Sequence, residues 1–391
     1  MSSSKKRAAN QQARDPAARG VATPGEARRP KDELKRPAAV APKHEAGPSK
    51  KTILSWVAMG LGTLLILFLL YKRFIQKPYI KPMEARIVPV EKSEWQSAID
   101  GERAMKSVKR LVDIGPRVAG TDGSVKAQQM IRAELEAAGI TDIREQKFTD
   151  NTPKGDRSFT NLIGVLPGKQ REGIALAAHY DSKLFEDFKF VGANDAASAV
   201  GVLFELARKL KAGAAEREIT YYFIFFDGEE AFLFDWNQWE RETGKPDNTY
   251  GSRHFVTKME EQDYPIKALI LLDLVGDKDY SLVDDDNFSR ELMAIFKKSS
   301  LDVFGVDFFV QQKPVGDDHD PFVKAGIPAI DLIDFEYGRD GNLDYWHTPE
   351  DTLEKLSTRS LERTGTLVLK ALPDVEAMVV KGMRTGTTRP K

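Results

Sequence analysis

The chain is predicted to fold as an α/β sandwich, a mostly parallel central sheet flanked by helices, with one transmembrane helix ahead of it. Three observations carry this expectation. Short apolar or β-branched runs alternate with segments of helical periodicity, the pattern of strands buried on both faces of a parallel sheet. The run Ile53 to Tyr71, ILSWVAMGLGTLLILFLLY, contains no charge, and at about 1.5 Å rise per residue it is long enough to cross a hydrocarbon core of about 30 Å. Acidic and imidazole side chains collect just beyond the ends of the strand-like runs, where open α/β sheets form their sites.

The N-terminal residues 1–51 are rich in Lys, Arg and Pro and nearly free of large apolar side chains. Such a composition cannot bury enough surface to offset its ordering entropy and is read as a disordered basic tail. Residues 52–72 form the expected transmembrane helix. A cleaved signal peptide fits less well, because the apolar run starts only at Ile53 and no small-residue cleavage site precedes Tyr71-Lys72-Arg73. Basic residues outnumber acids before the run far more than after it, so the positive-inside rule places the tail in the cytoplasm and the rest outside, in the periplasm if the cell is bacterial. Residues 73–100, broken by Pro78, Pro82 and Pro89, read as a juxtamembrane connector. The folded domain is expected over 101–379, followed by a short tail, 380–391.

Within that domain, helices are predicted over Glu102 to Ile114, stopped by Gly115-Pro116, and over Ser124 to Ala138, with Gly139 as its cap. Strands are predicted at Leu162 to Leu166, Ile174 to Ala178, Ile219 to Phe226, Ala268 to Leu274 and Ala329 to Ile333. Further helices are predicted at Ala196 to Leu210, Ser289 to Lys298 and Leu361 to Met378, the last kinked or split at Pro373.

Composition removes several chemistries. There is no cysteine, so thiol nucleophiles, disulfides and thiolate metal sites are excluded and any metal must use His, Asp or Glu. A formal net charge of -1 supplies no basic field, and no nucleic acid is expected as partner. Neither a G-x-S-x-G elbow nor a phosphate-binding G-x-x-x-x-G-K-[ST] loop is present.

The candidate residues follow the strands. His179-Tyr180-Asp181-Ser182-Lys183 follows the second predicted strand, Asp227-Gly228-Glu229-Glu230 the third and Asp273 the fourth; Asp195 opens a helix, and His347 lies in Tyr345-Trp346-His347-Thr348. Taken singly, Asp195 reads as a helix N-cap and each histidine as a hydrogen-bonded structural residue. Glu229-Glu230, however, sits between Tyr-Tyr-Phe-Ile-Phe-Phe and Ala231-Phe232-Leu233. Paired carboxylates at a buried strand end need a cation or shared protons, since isolated charges there cost several kcal/mol. Imidazole and carboxylate from separated strand ends suit zinc, with one glutamate on the metal and its neighbour left as proton carrier.

The ordered motifs H-Y-D-S at 179–182, N-D at 194–195, D-G-E-E at 227–230, L-D at 272–273, D-H at 318–319 and W-H-T at 346–348 resemble the M28 zinc aminopeptidase superfamily, over roughly residues 102–375. Within it the chain looks most similar to glutaminyl-peptide cyclotransferases, through the flanks of these motifs and Tyr250-Gly251-Ser252-Arg253-His254. The resemblance implies an aminopeptidase-like (phosphorylase/hydrolase-type) sandwich, one zinc on Asp195, Glu230 and His347, Glu229 as acid/base, and Asp273 and Asp317 as an acidic network beside it. It also implies that Trp346 and Trp236 line the pocket, and that peptide N-termini are the substrate. His179 and Asp273 would complete a second zinc site in a two-zinc aminopeptidase, the main alternative; a catalytically silent ectodomain that binds a partner is the third reading. The chain departs from the cyclase pattern in a longer loop, Phe234 to Asn248, which leaves Trp239 as a rival to Trp236. It departs also in Gly316 before Asp317-Asp318-His319, where a larger polar residue is expected, and in a longer segment from Phe335 to Tyr345.

Overall fold

The structure, a computed structural model, describes residues 89–213 and 216–385, together with residues 50, 51, 59, 62 and 63. The predicted membrane helix, the basic tail and the first part of the connector therefore lie largely outside the described residues. Among the described residues no helix is long and apolar enough to cross a membrane. Contacts divide the chain into residues 1–80 and 81–391. The sheet and the helices around it all belong to the second unit.

The elements of that unit begin with α1 (Gly101–Ile114) and α2 (Asp122–Ala137), then β1 (Asp142–Thr152), β2 (Gly155–Leu166), β3 (Gly173–His179), α3 (Ala199–Ala212) and β4 (Thr220–Phe226). Next in the chain come α4 (Gln238–Thr243), α5 (Tyr250–Lys258), β5 (Ile266–Asp273), β6 (Leu282–Val283), α6 (Arg290–Phe304), β7 (Phe309–Gln311), α7 (Asp320–Lys324), β8 (Ala329–Ile333) and α8 (Thr358–Thr385). Helix starts obey local capping: the side chains of Asp100, Thr121 and Ser289 accept from the backbone N–H of Arg103, Ser124 and Leu292.

The main sheet has the order β1-β2-β4-β3-β5-β8. β1 and β2 join antiparallel, whereas β4, β3, β5 and β8 pair in parallel. Side chains alternate between its faces. Leu176, Phe223, Phe225, Ile270 and Leu272 enter the core shared with α1, α2, α3 and α8; Ala175, Ala177, Ile224, Phe226, Leu269 and Leu271 enter a second core with Phe255 of α5 and Phe322 of α7. Both faces are buried, so the strands read as unbroken apolar runs.

Several elements differ from the sequence expectation. β1 and the first half of β2 had no counterpart, because Asp-Ile-Arg-Glu-Gln-Lys-Phe-Thr-Asp-Asn-Thr is an edge strand whose outward positions are polar. The helix expected from Ala196 becomes regular only at Ala199, after an irregular turn over Ala193–Ser198. The last helix is not split: it continues through Pro373 as one element, with Val368, Ala371, Leu372, Val375 and Val379 buried along one face. That apolar stripe outweighs the backbone hydrogen bond lost at the proline. The folded unit also begins before residue 101. Trp95 and Ile99 are buried, and the Arg359 guanidinium stands 3.5 Å from the centre of the Trp95 ring.

Candidate active site

The strand order reverses direction around β3, since β4 lies on one side of it and β5, reached by a crossover, on the other. Ligand sites in such sheets form beyond the strand C-termini at this point. His179 is the last residue of β3, Asp227 to Glu230 follow the end of β4, and Asp273 is the last residue of β5.

Asp195 sits in the turn before α3 with φ −103° and ψ 90°. It does not cap that helix; its carboxylate instead divides between two histidines. Asp195 Oδ2 lies 3.4 Å from His347 Nε2 and Asp195 Oδ1 lies 3.3 Å from His179 Nε2. Glu230 Oε1 is 3.2 Å from His347 Nε2, and Asp273 Oδ1 is 3.3 Å from His179 Nε2. Two groups thus each bring their ligand atoms within 4.8 Å of one another: Asp195, Glu230 and His347, and His179, Asp195 and Asp273.

The electrostatics fit a cation. Burial alone would lower the His347 pKa, yet the Glu230 and Asp195 carboxylates push it up to about 9. Burial opposes the charged form of His179 too, but Asp181, Asp195 and Asp273 raise it well above its ordinary value. Buried carboxylates that draw protons onto both imidazoles offer a divalent ion hard oxygen and borderline nitrogen donors, the set that zinc accepts. Glu229 differs. Burial, reinforced by Asp317 and Glu230, raises its carboxyl well above the usual range despite the opposing effect of His179.

The supporting contacts hold these side chains from remote parts of the sequence. The Asp181 carboxylate accepts the backbone N–H groups of Glu229 at 3.1 Å and Glu230 at 3.3 Å. The buried Lys183 ammonium donates to Ala231 O at 2.9 Å and lies 3.5 Å from Glu230 Oε2. Asp351 accepts from Asn194 N at 2.8 Å, Asp195 N at 3.2 Å and the Tyr337 hydroxyl at 2.8 Å. The Arg117 guanidinium, fully buried, donates to the carbonyls of Tyr180, Val191 and Gly192, fixing the approach to Asp195.

A cavity of about 210 Å³ opens over these groups, with Glu229, Glu230, Asp195, Asp273, Asp317, Trp236, Phe335, Trp346 and His347 in its wall. Trp346 stacks on the His347 ring, centroids 3.8 Å apart, and meets Phe335 edge-on at 5.2 Å. Residues with φ above zero need support from their surroundings, and His347 at 55° and Leu274 at 51° both flank this cavity or its ligands.

The sequence model of peptidase family M28 matches residues 161–372, more than half of the 391 residues. A glutaminyl-peptide cyclotransferase of Boiga dendrophila is 31% identical over 294 residues, 64% of this chain and 75% of that protein. The chain belongs to peptidase family M28, in its glutaminyl-peptide cyclotransferase branch. The Dictyostelium discoideum protein of the same name is 29% identical over 67% of this chain and 81% of its own length. The crystal structure of Acidobacteriales bacterium glutaminyl cyclase superposes with a TM-score of 0.65 at 31% identity, covering 73% of this chain and 98% of that one.

In this M28 chain Asp195, Glu229, Glu230, Asp273, Asp317, Trp346 and His347 all line this cavity, and His179 lies against Asp195 and Asp273. Trp236 lines the cavity and Trp239 does not. Sequence reasoning gave no role to Asp181, Lys183, Asp331 or Asp351. Asp331, on β8 and fully buried, raises Asp317 after burial has already done so.

Proposed function

We propose that this chain converts an N-terminal glutamine of peptides to pyroglutamate, with release of ammonia. The observation that carries this reading is a buried glutamate, Glu229, in the wall of a small aromatic-lined cavity beside a His/Asp/Glu metal-ligand group. The curated relatives, named glutaminyl-peptide cyclotransferases, support it. Asp195, Glu230 and His347 would hold one zinc, which when bound supplies Lewis-acid polarisation of the substrate carboxamide. Trp346 and Trp236 flank the side chain and orient it, and such positioning is worth several kcal/mol of barrier.

The neutral α-amine attacks the side-chain carboxamide carbon with its lone pair, forming the ring C–N bond, and Glu229, as carboxylate, accepts the proton that this nitrogen sheds. Glu229 then returns the proton to the carboxamide nitrogen as that C–N bond breaks, and ammonia leaves. Burial pushes the Asp317 and Asp273 carboxyls up as well, and both line the same cavity as Glu229.

The group His179, Asp195 and Asp273 favours a second reading, a two-zinc aminopeptidase in which Glu229 activates water. Peptides starting with Gln and with Leu separate the two. Ammonia and an N-terminally blocked product from the Gln peptide, with the Leu peptide intact, are expected; free amino acid from either would overturn the cyclase reading. We also place the catalytic unit outside the cytoplasm, anchored through residues 52–72, on the uncharged run and the basic tail before it. Protease added to intact cells should remove the catalytic unit and leave the tail protected.

A further inference from the structure

The 210 Å³ cavity does not end at Trp236 and Gly316. A second, open cleft of about 760 Å³ shares Trp236, Gly316 and Asp317 with it and continues along α5 and α7. Gly316 stands at the junction. A Cβ built there would lie 3.7 Å from Asp320 Oδ2 and 3.8 Å from Trp236 Cζ3, so any longer side chain would enter the passage between them.

The cleft has a fixed wall. The loop that bears Trp236 is pinned at both ends by Asp247, which is buried and accepts from Leu233 N at 2.8 Å and from the Tyr250 hydroxyl at 2.7 Å. Arg253 is held by the Asn248 carbonyl, at 3.0 Å from Nε and 2.9 Å from Nη2, and lies over the Tyr250 ring. Donors and acceptors remain available along it. Among the described residues the Lys324 and Glu240 side chains form no ion pair, and Asp320 gives Oδ1 to Asn287 at 2.7 Å while Oδ2 faces the space above Gly316.

We propose that this cleft binds the second to fourth residues of the substrate, so that the enzyme acts on extended peptides in preference to glutamine amides. The inference rests on the cyclase reading. A peptide whose amine and first side chain fill the small cavity must leave it through an opening, and an extended chain advances about 3.3 Å per residue. Its main-chain N–H and C=O groups meet acceptors and donors in the cleft, as peptide recognition requires. Asp320, at the passage, meets the second residue and favours a basic side chain there over an acidic one.

The test uses the full zinc-loaded chain with glutamine amide, Gln-Ala-Ala-Ala amide, Gln-Lys-Ala-Ala amide and Gln-Glu-Ala-Ala amide, and reads kcat/KM. From the amide to the alanine tetrapeptide a gain of about tenfold is expected, the worth of one or two main-chain hydrogen bonds. In Gly316→Leu the ratio of tetrapeptide to amide should fall to within about twofold of unity. Asp320→Asn should keep the length gain but erase a preference for Lys over Glu of roughly fivefold at low salt. If wild type cyclises the amide as well as the tetrapeptides, the cleft is not a subsite while the cyclase reading stands. If Gly316→Leu keeps the full gain, or Asp320→Asn the full Lys preference, the proposed path is wrong. If no glutamine substrate is cyclised, the cyclase reading falls and this inference with it.

Discussion

Asp351 joins two loops that both carry ligand candidates, and its replacement by asparagine tests how the site is held. Oδ1 accepts from Asn194 N and the Tyr337 hydroxyl, each at 2.8 Å, and Oδ2 accepts from Asp195 N at 3.2 Å. An amide offers one oxygen. Whichever way it is turned, the backbone N–H of Asn194 or Asp195 then faces an NH₂ group and loses its acceptor. Asp351 is 1% exposed, so water cannot replace the missing partner, and an orphaned buried donor costs about 1–3 kcal/mol. For a domain of this size each kcal/mol is worth roughly 2–4 °C in Tm, so Asp351→Asn should melt roughly 4–8 °C lower for a loss of about 2 kcal/mol. Asp195 would also lose its hold. Partners behind a metal ligand typically govern about 10–100-fold in affinity, so competition with a chromogenic chelator should show zinc binding weakened by about that factor. A variant with unchanged Tm and unchanged zinc affinity would refute the role. Lower Tm with unchanged zinc affinity would make Asp351 a fold contact only.

Glu229→Gln should lose at least about a hundredfold in kcat, the scale of a general acid–base group, while titration still finds zinc bound; near full turnover would remove Glu229 from the mechanism. Burial, with Asp317 and Glu230, holds the proton on Glu229 well above the ordinary range. The reactive carboxylate therefore appears only as pH rises, and the acid limb of kcat/KM in wild type should lie above the ordinary carboxylate range. Gly201 lets α3 approach α1, since a Cβ there would stand 2.7 Å from Val108 Cγ2 and 2.9 Å from Ala104 O. Gly201→Ala should destabilise by about 1–3 kcal/mol in urea titrations, and a neutral result would show that the two helices separate freely.

The parallel strands were legible because burial on both faces leaves no polar interruption: Tyr-Tyr-Phe-Ile-Phe-Phe of β4 and Ile-Ala-Leu-Ala-Ala of β3 could hardly be loops. The acids beyond those strands were legible for the complementary reason, that a carboxylate directly after such a run has no cheap way to be solvated. β1 was not legible, since an edge strand gains from cross-strand pairing with β2 that its own composition does not announce. Asp181 and Asp351 escaped for another reason. Their partners are backbone N–H groups at Glu229, Glu230, Asn194 and Asp195, and any acid in any loop could accept from them. Such residues are found by asking where the backbone donors of a ligand-bearing turn go, which only the tertiary fold answers.

How many ions the site takes turns on Asp195. Its two oxygens face different histidines, Oδ2 towards His347 and Oδ1 towards His179, a geometry that suits two arrangements. In one, both groups would hold an ion and Asp195 would serve the two of them. In the other, a single ion would be held by Asp195, Glu230 and His347 while Oδ1 pairs with His179 Nε2 at 3.3 Å, and the opposite His179 nitrogen lies 3.3 Å from Asp181. Asp181 also receives the N–H groups of Glu229 and Glu230, so in the second arrangement His179 orients the acid/base and a ligand together without touching metal. One ion matches the cyclase reading. Elemental analysis of the purified chain should give about one zinc per protein, retained in His179→Gln and lost in His347→Gln, because loss of one of three protein ligands leaves too weak a site. Two zinc ions in wild type, falling to one in His179→Gln, would mean that His179, Asp195 and Asp273 hold a second ion, the ligand set of the aminopeptidase reading.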